Sequence, residues 1–313
     1  GQEYVTVGDD HFLRFWSLQE HRQICCVQLP GASRCVDYSP DGNYLALGFG
    51  GGGRQKGKGV DGLVKIFRLN RPKKTQTGAK DLKDLTDGPK GVKDPLNSVG
   101  SITQVAEIKD AKQWISCVRF SPDGATLAVG SRDNSIYLYS VMLQFERRGK
   151  FAKHNSGVTH LDFSADGRHI QSCCSAYEIL FSDALTSAQV TDGATRLCDA
   201  EWASWTCTLG WPVIGIWSGS MDGSDVNSVA RSPSGRLLAS ADDFGAVNVY
   251  RYPAMREGGS PHSAYSGHSS HVTCVRWAGL ASDSDDYLLS VGGDDKCVFQ
   301  WRNADAEADR GGG

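Results

Sequence analysis

A four-residue phrase that returns along the chain is the feature that most constrains the fold. Ser39–Gly42 and Ser121–Gly124 both read SPDG, Ser164–Gly167 reads SADG, and Ser232–Gly235 reads SPSG. Each copy follows an alternating apolar segment and precedes a small apolar one such as YLALG or TLAVG. Pro presets φ in a tight turn, and Gly supplies the positive φ that such a turn requires. Each copy therefore predicts two antiparallel strands joined by a tight turn.

A second mark keeps the same spacing. An Asp stands six residues before an aromatic residue in four units, and a Ser takes its place in a fifth: Asp10/Trp16, Asp61/Phe67, Asp133/Tyr139, Asp295/Trp301 and Ser175/Phe181. Successive marks are about 40–45 residues apart, which with four strands per unit is typical of propeller blades. Two independent marks with one period predict an all-β, WD40-type β-propeller.

The units predict a single propeller over residues 1–302, of about seven four-stranded blades, with six also possible. Unit one starts at its second strand and so lacks the innermost one, and unit seven lacks its outermost strand. We expect chain from upstream to complete this seam. Between units four and six the turn phrase is missing, and we expect a short atypical blade with three strands: Cys198–Trp202, Trp205–Leu209 and Val213–Trp217. Residues 303–313 are expected to be a disordered tail.

Unit two carries two insertions, at about 48–60 and 70–100, which are rich in Gly and Lys and too polar to pack. Between Arg54 and Asp94 stand twelve Lys or Arg residues and five Asp, a balance of +7, whereas the whole chain carries −3. The near-neutral total thus hides a basic unit on an acidic ring. The two insertions are expected to point to opposite faces of the ring. Arg54, Lys56 and Lys58 of the first are candidate contacts for an acidic partner.

Most of the marked residues are interpreted as structural. Asp in such a turn accepts backbone or His donors, and the terminal aromatic residue packs between blades. The Gly-His pair before the inner strand of unit seven should place His268 against Asp295, close to Trp301. The predicted structural network comprises Asp10, Trp16, Asp61, Asp133, His268, Asp295 and Trp301.

Short motifs of nucleotide-binding, kinase and zinc sites occur in the sequence, but their surroundings do not fit those functions. Gly48–Gly53 satisfies GxGxxG but leads into a strand instead of a helix, and Asp243-Phe244-Gly245 lacks the other kinase motifs. His268 and His271 have no Cys pair to complete a zinc site. The ten cysteines are scattered without CxxC, as in a reducing compartment. We predict no catalytic residue, cofactor, metal site or small-molecule substrate. The altered turn spacing at Asp242, Asp243 and Phe244 indicates a contact loop for a protein partner.

Nucleic acid and membrane partners are also not expected. The basic insertions lack the interleaved Tyr and Trp that a nucleic-acid surface would use. No apolar run approaches the roughly 18 residues of a membrane span.

One segment points to a particular family. Glu201–Gly210 reads EWASWTCTLG and is followed by Gly215-Ile216-Trp217; the chain continues with Asp242–Gly245, Gly267–Thr273 and Gln300–Arg302. This combination resembles the second propeller of echinoderm microtubule-associated protein-like proteins over most of 114–302. The resemblance implies the C-terminal member of a tandem propeller pair, a non-enzymatic interaction module that contacts tubulin or microtubules. It also implies a cytoplasmic, cytoskeletal location. A generic WD-repeat scaffold in a ciliary or signalling complex is the alternative.

Overall fold

Twenty-one strands form six antiparallel sheets in the described part of the computed structural model, which covers residues 3–52, 59–70, 101–219, 221–281 and 283–304. In every sheet the strands pair in chain order, each with the one before it. The prediction of an all-β propeller is confirmed. The sheets are named as blades by the sequence units that form them, so blade numbers run from 1 to 4 and then 6 and 7.

Blades 1 to 4 use the first fourteen strands. Blade 1 contains β1 (Glu3–Val7), β2 (Phe12–Ser17) and β3 (Arg22–Gln28). Blade 2 contains β4 (Ser33–Tyr38), β5 (Tyr44–Phe49), β6 (Val64–Asn70) and β7 (Ser101–Ile108). Blade 3 contains β8 (Ile115–Phe120), β9 (Thr126–Ser131), β10 (Ser135–Ser140) and β11 (Glu146–Phe151). Blade 4 contains β12 (Val158–Phe163), β13 (His169–Cys174) and β14 (Ile179–Asp183).

The other seven strands form blades 6 and 7. Blade 6 contains β15 (Val226–Arg231), β16 (Leu237–Asp242), β17 (Ala246–Arg251) and β18 (His262–Ser266). Blade 7 contains β19 (Val272–Ala278), β20 (Tyr287–Gly292) and β21 (Val298–Arg302). Two short helices complete the regular structure of the described residues: α1 (Gly193–Arg196) and a 3-10 helix (Trp211–Ile216). Neither of these helices, in the part of the chain that the structure describes, has the length and apolar composition that a membrane span requires.

The SPDG phrase closes the first hairpin of a blade as predicted. In blade 2 the Ser39 hydroxyl accepts the amide of Tyr44 at 2.8 Å, and Asp41 Oδ1 accepts the amide of Asn43 at 3.0 Å. Gly42 has a φ of 70°, which a Cβ would strain. The same serine bond closes the turns at Ser121, Ser164 and Ser232. A local phrase therefore sets the register of four hairpins.

The core lies between neighbouring blades. Blades 2 and 3, for example, enclose Ile66, Ile115, Leu127 and Tyr139, all of them buried. Strands β5, β9 and β10 are buried almost throughout, as expected of strands covered on both faces. Burial of apolar side chains between sheets therefore holds the ring together.

The stretch between blades 4 and 6 corrects one expectation. The strands predicted at Cys198–Trp202, Trp205–Leu209 and Val213–Trp217 are wrong: the first two are irregular, and the 3-10 helix takes up most of the third. The stretch nevertheless lies between the two blades, because Ala203 donates to Phe163 O of β12 and Arg231 of β15 donates to Trp205 O. An irregular segment thus stands in the ring where a blade was expected.

A buried carboxylate holds this segment in place of strand pairing. Asp162 of β12 is fully buried, and it accepts the amides of Thr206 and Cys207 at 2.8 and 3.0 Å and the Ser204 hydroxyl at 2.5 Å. Asp37 plays the same part in blade 2, where it accepts the Phe120 amide of blade 3 at 2.8 Å. A carboxylate with several donors satisfies backbone groups that no neighbouring strand reaches. Residues 204–207 therefore lie where the inner strand of a fifth blade would run.

The two ends of the described chain meet in the ring. Gln300 of β21 donates to Leu18 O, just after β2, at 2.8 Å, and the rings of His21 and Tyr287 lie edge to face. Blades 1 and 7 each have three strands in the described residues. Completion of this seam by upstream chain stays a prediction.

Candidate functional site

The two insertions leave the ring at opposite ends of one strand. The first joins β5 to the start of β6, and the second joins the end of β6 to β7. Arg54, Lys56 and Lys58 lie outside the described residues, as does the second insertion from residue 71 to 100. The described strands fix where each insertion is anchored, and the anchor points differ by the length of β6.

An aromatic ring flanked by two arginines stands at the anchor of the first insertion. The guanidinium carbons of Arg34 and Arg132 lie 5.3 and 4.7 Å from the centre of the Trp114 ring. A Cβ at Gly51 would lie about 3.0 Å from the same ring, so the chain enters the insertion directly beside it. We call Arg34, Trp114 and Arg132 the arginine–tryptophan cluster.

The two arginines of this cluster differ in their partners. Arg34 is exposed and forms a bidentate pair with Asp9, with contacts of 3.1 and 2.7 Å. Arg132 donates to the Ser175 hydroxyl, and among the described residues it has no ion pair. Burial lowers the pKa of Arg132, and the nearby charge of Arg34 lowers it further. The cluster is therefore a half-buried cationic and aromatic surface with one charge left for a partner.

Sequence reasoning did not find this cluster. Its members come from three places in the chain, one before β8, one in β4 and one after β9, with no shared spacing. Trp114 itself is the signal that could have pointed to the cluster. It lies in a connection between blades, where strand packing does not require a large aromatic side chain.

The three residues predicted as a contact loop, in the turn after β16, differ in their exposure and in their hydrogen bonds. Asp242 is 3% exposed and accepts the amides of Phe244 and Ala246 and the side chain of Asn248. Asp243 accepts the Asn227 side chain at 2.7 Å, whereas Phe244 is 71% exposed. Asp242 therefore builds the turn, and Phe244 is the residue a partner can reach. This hairpin corresponds in blade 6 to the β5–β6 connection in blade 2, so both open on the same face of the ring.

The predicted structural residues lie in the hairpins of their blades. Asp10 accepts the Phe12 amide, Asp61 accepts the Gly51 amide, and Asp133 accepts the Lys112 amide and the Tyr137 hydroxyl. Trp16 donates to the Thr6 hydroxyl on the neighbouring strand.

Blade 7 contains a complete chain of side-chain hydrogen bonds. His268 Nδ1 lies 2.8 Å from Asp295 Oδ2, His268 Nε2 lies 2.8 Å from Ser290 Oγ, and Trp301 Nε1 donates to the same hydroxyl at 2.8 Å. Burial works to raise the pKa of Asp295, but the Cys297 amide and His268 outweigh it, so that pKa is lowered. Both nitrogens of the ring are satisfied, and this arrangement ties three parts of the blade together.

Blade 4 has a histidine in the same place with different neighbours. His154 is 6% exposed, and its Nε2 lies 2.7 Å from Ser172 Oγ, but its Nδ1 has no hydrogen-bond partner. Cys174 and Glu178 stand nearby, with Sγ and Oε2 3.3 Å apart. A ring nitrogen of His154, the thiol and the carboxylate lie within 4.8 Å of one another. Burial lowers the pKa of His154 to about 4 although Glu178 opposes the shift, so the ring is neutral near pH 7.

The inner strands bring further charged groups to the ring axis. Arg119 of β8 pairs with Asp37 of β4 at 3.3 Å. His160 of β12 faces Arg276, Asp162, Arg119 and Arg132, and burial followed by Arg276 lowers its pKa to about 4. The Arg119–Asp37 ion pair therefore links blades 2 and 3 near the ring axis.

Comparison with known proteins agrees with this architecture. The family model described as the second β-propeller of echinoderm microtubule-associated protein matches residues 1–303. Echinoderm microtubule-associated protein-like 2 of Homo sapiens is 37% identical over 303 residues, covering 96% of this chain and 40% of that protein. The 77 kDa echinoderm microtubule-associated protein of Strongylocentrotus purpuratus is 47% identical over 196 residues, covering 61% of this chain and 28% of that protein.

A ciliary relative is similar over the same range. Ciliary WD repeat-containing protein ctxp80 of Euplotoides octocarinatus is 34% identical over 310 residues, covering 96% of this chain and 38% of that protein. The chain thus spans well under half the length of each of these three relatives.

Proposed function

This chain belongs to the echinoderm microtubule-associated protein family, whose second β-propeller it matches, and from that premise we propose that it is a non-enzymatic protein-interaction module that contacts tubulin. The observation that carries the proposal is the arginine–tryptophan cluster at the anchor of the first basic insertion. Relatives named as microtubule-associated supply the partner class.

The physical basis of the contact is charge attraction at one face of the ring. The cluster offers the Arg132 guanidinium, which has no ion pair among the described residues, on a fixed aromatic support, while Arg34 is already paired with Asp9. The first insertion adds Arg54, Lys56 and Lys58 without an acidic residue among them. The acidic surface of tubulin would be attracted to this set, and Phe244 would add an apolar contact on the same face. Attraction between exposed charges is screened over about 8–10 Å at physiological salt, so the binding should depend on salt.

The test compares the two insertions on one protein. Fluorescence binding to soluble tubulin and co-sedimentation with stabilised microtubules are measured at low and high salt for two triple variants. Ala substitution of Arg54, Lys56 and Lys58 should weaken binding at low salt more than at high salt. The matched control, Ala substitution of Lys73, Lys74 and Lys80 in the second insertion, removes the same charge at the opposite end of β6 and should do less. Equal binding by parent and first variant at both salt levels would refute the role of this face.

A second candidate is a scaffold in a ciliary complex, favoured by the ciliary relative. It predicts a protein that binds neither soluble tubulin nor polymer under the same conditions. Binding of tubulin with a salt-dependent affinity decides for the first function.

A further inference from the structure

We infer that the propeller carries a divalent-metal site in blade 4, where His154, Cys174 and Glu178 bind Zn²⁺ or a cation of similar preference. The site goes beyond the proposed interaction with tubulin and does not depend on it. No motif predicts this site, because the ligands have the spacing of a hairpin rather than a CxxC motif.

The first argument is the histidine nitrogen that has no partner. His154 Nδ1 is buried and makes no hydrogen bond, although a buried polar atom normally finds one. The Ser172 hydroxyl donates to Leu180 O at 3.4 Å, so it accepts the proton of His154 Nε2. Nδ1 is then left with a free lone pair in the tautomer that a metal ion requires.

The second argument is the donor set beside the His154 ring. The thiol of Cys174 and the carboxylate of Glu178 already lie 3.3 Å apart. Tetrahedral zinc with bonds of about 2.0–2.3 Å places its ligand atoms about 3.3–3.8 Å from one another. The three ligand atoms here lie within 4.8 Å of one another, so a shift of about an ångström by the ring or the carboxylate completes the geometry. Nitrogen, sulfur and carboxylate oxygen together favour zinc over calcium or magnesium.

The third argument is that the backbone fixes the two hairpin ligands. Cys174 donates its amide to Glu178 O at 3.2 Å, and Tyr177 in the turn between them donates to Cys174 O at 3.1 Å. Tyr177 has a φ of 58°, the left-handed conformation that closes this turn. Cys174 and Glu178 therefore face the same side of a short turn before any ion arrives, which reduces the ordering cost of binding.

Outer contacts orient each ligand as in known metal sites. Ser172 holds the far nitrogen of the His154 ring, and the Asn155 side chain donates to Glu178 Oε1 at 2.5 Å. The Asn155 amide donates to Glu178 Oε2 at 3.3 Å. Glu178 is half-buried, which leaves an approach from solvent and a fourth position for water.

Binding of Zn²⁺ to the three ligands releases one proton. The ion exchanges its water ligands for one bond each to Nδ1, Sγ and a carboxylate oxygen and keeps one water at the fourth position of the tetrahedral site. The Cys174 thiol releases its proton to bulk water, and its present hydrogen bond to Glu178 is replaced by the two metal bonds. The neutral ring and the ionised carboxylate release none.

The experiment measures zinc directly in the folded chain. The parent protein is equilibrated with Zn²⁺, a weak chelator removes the excess, and the zinc content of the protein is then determined. In a second measurement, titration with Co²⁺ reports sulfur ligation through the thiolate-to-cobalt absorption band. We expect one equivalent of zinc, a cobalt–thiolate band and a higher Tm with zinc. Cys174→Ser should abolish the band, and Glu178→Gln should weaken zinc binding by about tenfold or more.

Two controls separate the site from the other nine cysteines and from misfolding. Cys26→Ser changes an exposed cysteine and should leave zinc content and the cobalt band intact. Asn155→Ala leaves all three ligands in place and should weaken zinc binding by about 10–100-fold. Metal-free Tm and circular dichroism establish that each variant is folded. Absence of stoichiometric zinc in the parent, or a cobalt band that survives Cys174→Ser, would overturn the inference.

Discussion

Blades 4 and 7 place a histidine at the same point and use it differently. In blade 7, His268 is satisfied at both nitrogens by Asp295 and Ser290, and Trp301 completes the chain. In blade 4, His154 keeps the serine contact, but Nδ1 has no partner and Cys174 and Glu178 stand beside it. Phe181 takes the place of the tryptophan and offers no N–H to Ser172.

The comparison shows how one blade position can serve two purposes. A closed chain of hydrogen bonds leaves no donor or acceptor for a ligand and so contributes to stability. An open set of the same geometry retains unsatisfied groups, which cost stability unless something binds them. In blade 4 the unpaired nitrogen lies beside a thiol and a carboxylate, and this combination is what distinguishes it from the satisfied ring of His268.

The largest expected effect comes from the carboxylate that holds the irregular segment to blade 4. Asp162→Asn places an amide against the donors of Thr206 and Cys207 and should lower the free energy of unfolding by about 3–4 kcal/mol. Denaturant unfolding measures it. Asp166→Asn is the matched control in the same blade, because Asp166 is exposed, and it should cost less than about 1 kcal/mol. Similar losses in the two variants would show that Asp162 does not hold the segment.

Breaking the complete network of blade 7 should have the next largest effect. Asp295→Ala leaves His268 Nδ1 and the Cys297 and Ser269 amides without their acceptor, and should cost about 2–3 kcal/mol in thermal or denaturant unfolding. Glu178→Ala in blade 4 removes a solvent-accessible acid from an incomplete set and should lower stability less than Asp295→Ala does, measured without metal. A larger loss at Glu178 than at Asp295 would reverse the comparison.

Low pH should destabilise the folded chain through His160 of blade 4, which is neutral in the folded state. The pKa of His160 is lowered to about 4, so the unfolded chain binds a proton below its ordinary pKa of about 6.5 that the folded chain does not. Stability contributed by neutral His160 is therefore present above about pH 6.5 and is lost as pH falls toward 4, by about 1–3 kcal/mol.

Urea unfolding at a series of pH values tests this expectation. His160→Gln should flatten the loss of stability between pH 6.5 and 4, and the exposed His262→Gln serves as the control. Parallel stability curves for His160→Gln and the parent would contradict the assignment.

The smallest expected effect comes from the two serines that bond the histidines, Ser290 in blade 7 and Ser172 in blade 4. Ser290 accepts from Trp301 and bonds His268, so Ser290→Ala should cost about 1–2 kcal/mol. Ser172→Ala loses one histidine contact and should cost about 1 kcal/mol. Thermal unfolding in the metal-free state compares the two, and equal losses would argue that Trp301 adds nothing to the network.

The sequence by itself determined the repeat, the turns and the class of fold. Ser, Asp and Gly in the SPDG phrase act within six residues, and the alternation of apolar residues acts within one strand, so both can be read without a structure. The pair of His268 and Asp295 could be predicted too, because a Gly-His pair before the inner strand and an Asp in the following turn both stand in the sequence of unit seven. The same local reasoning mistook 198–217 for strands, since apolar residues in short runs do not reveal what satisfies their backbone.

Tertiary structure decided the rest, because those groups meet across distant parts of the chain. Asp162 of blade 4 reaches Thr206 and Cys207 in the irregular segment. Arg34, Trp114 and Arg132 come together from three separate parts of the chain. The open histidine site was also invisible, although its ligands are close in sequence. Whether His154 Nδ1 has a partner depends on the fold of the hairpin and on burial, and neither is encoded in spacing alone.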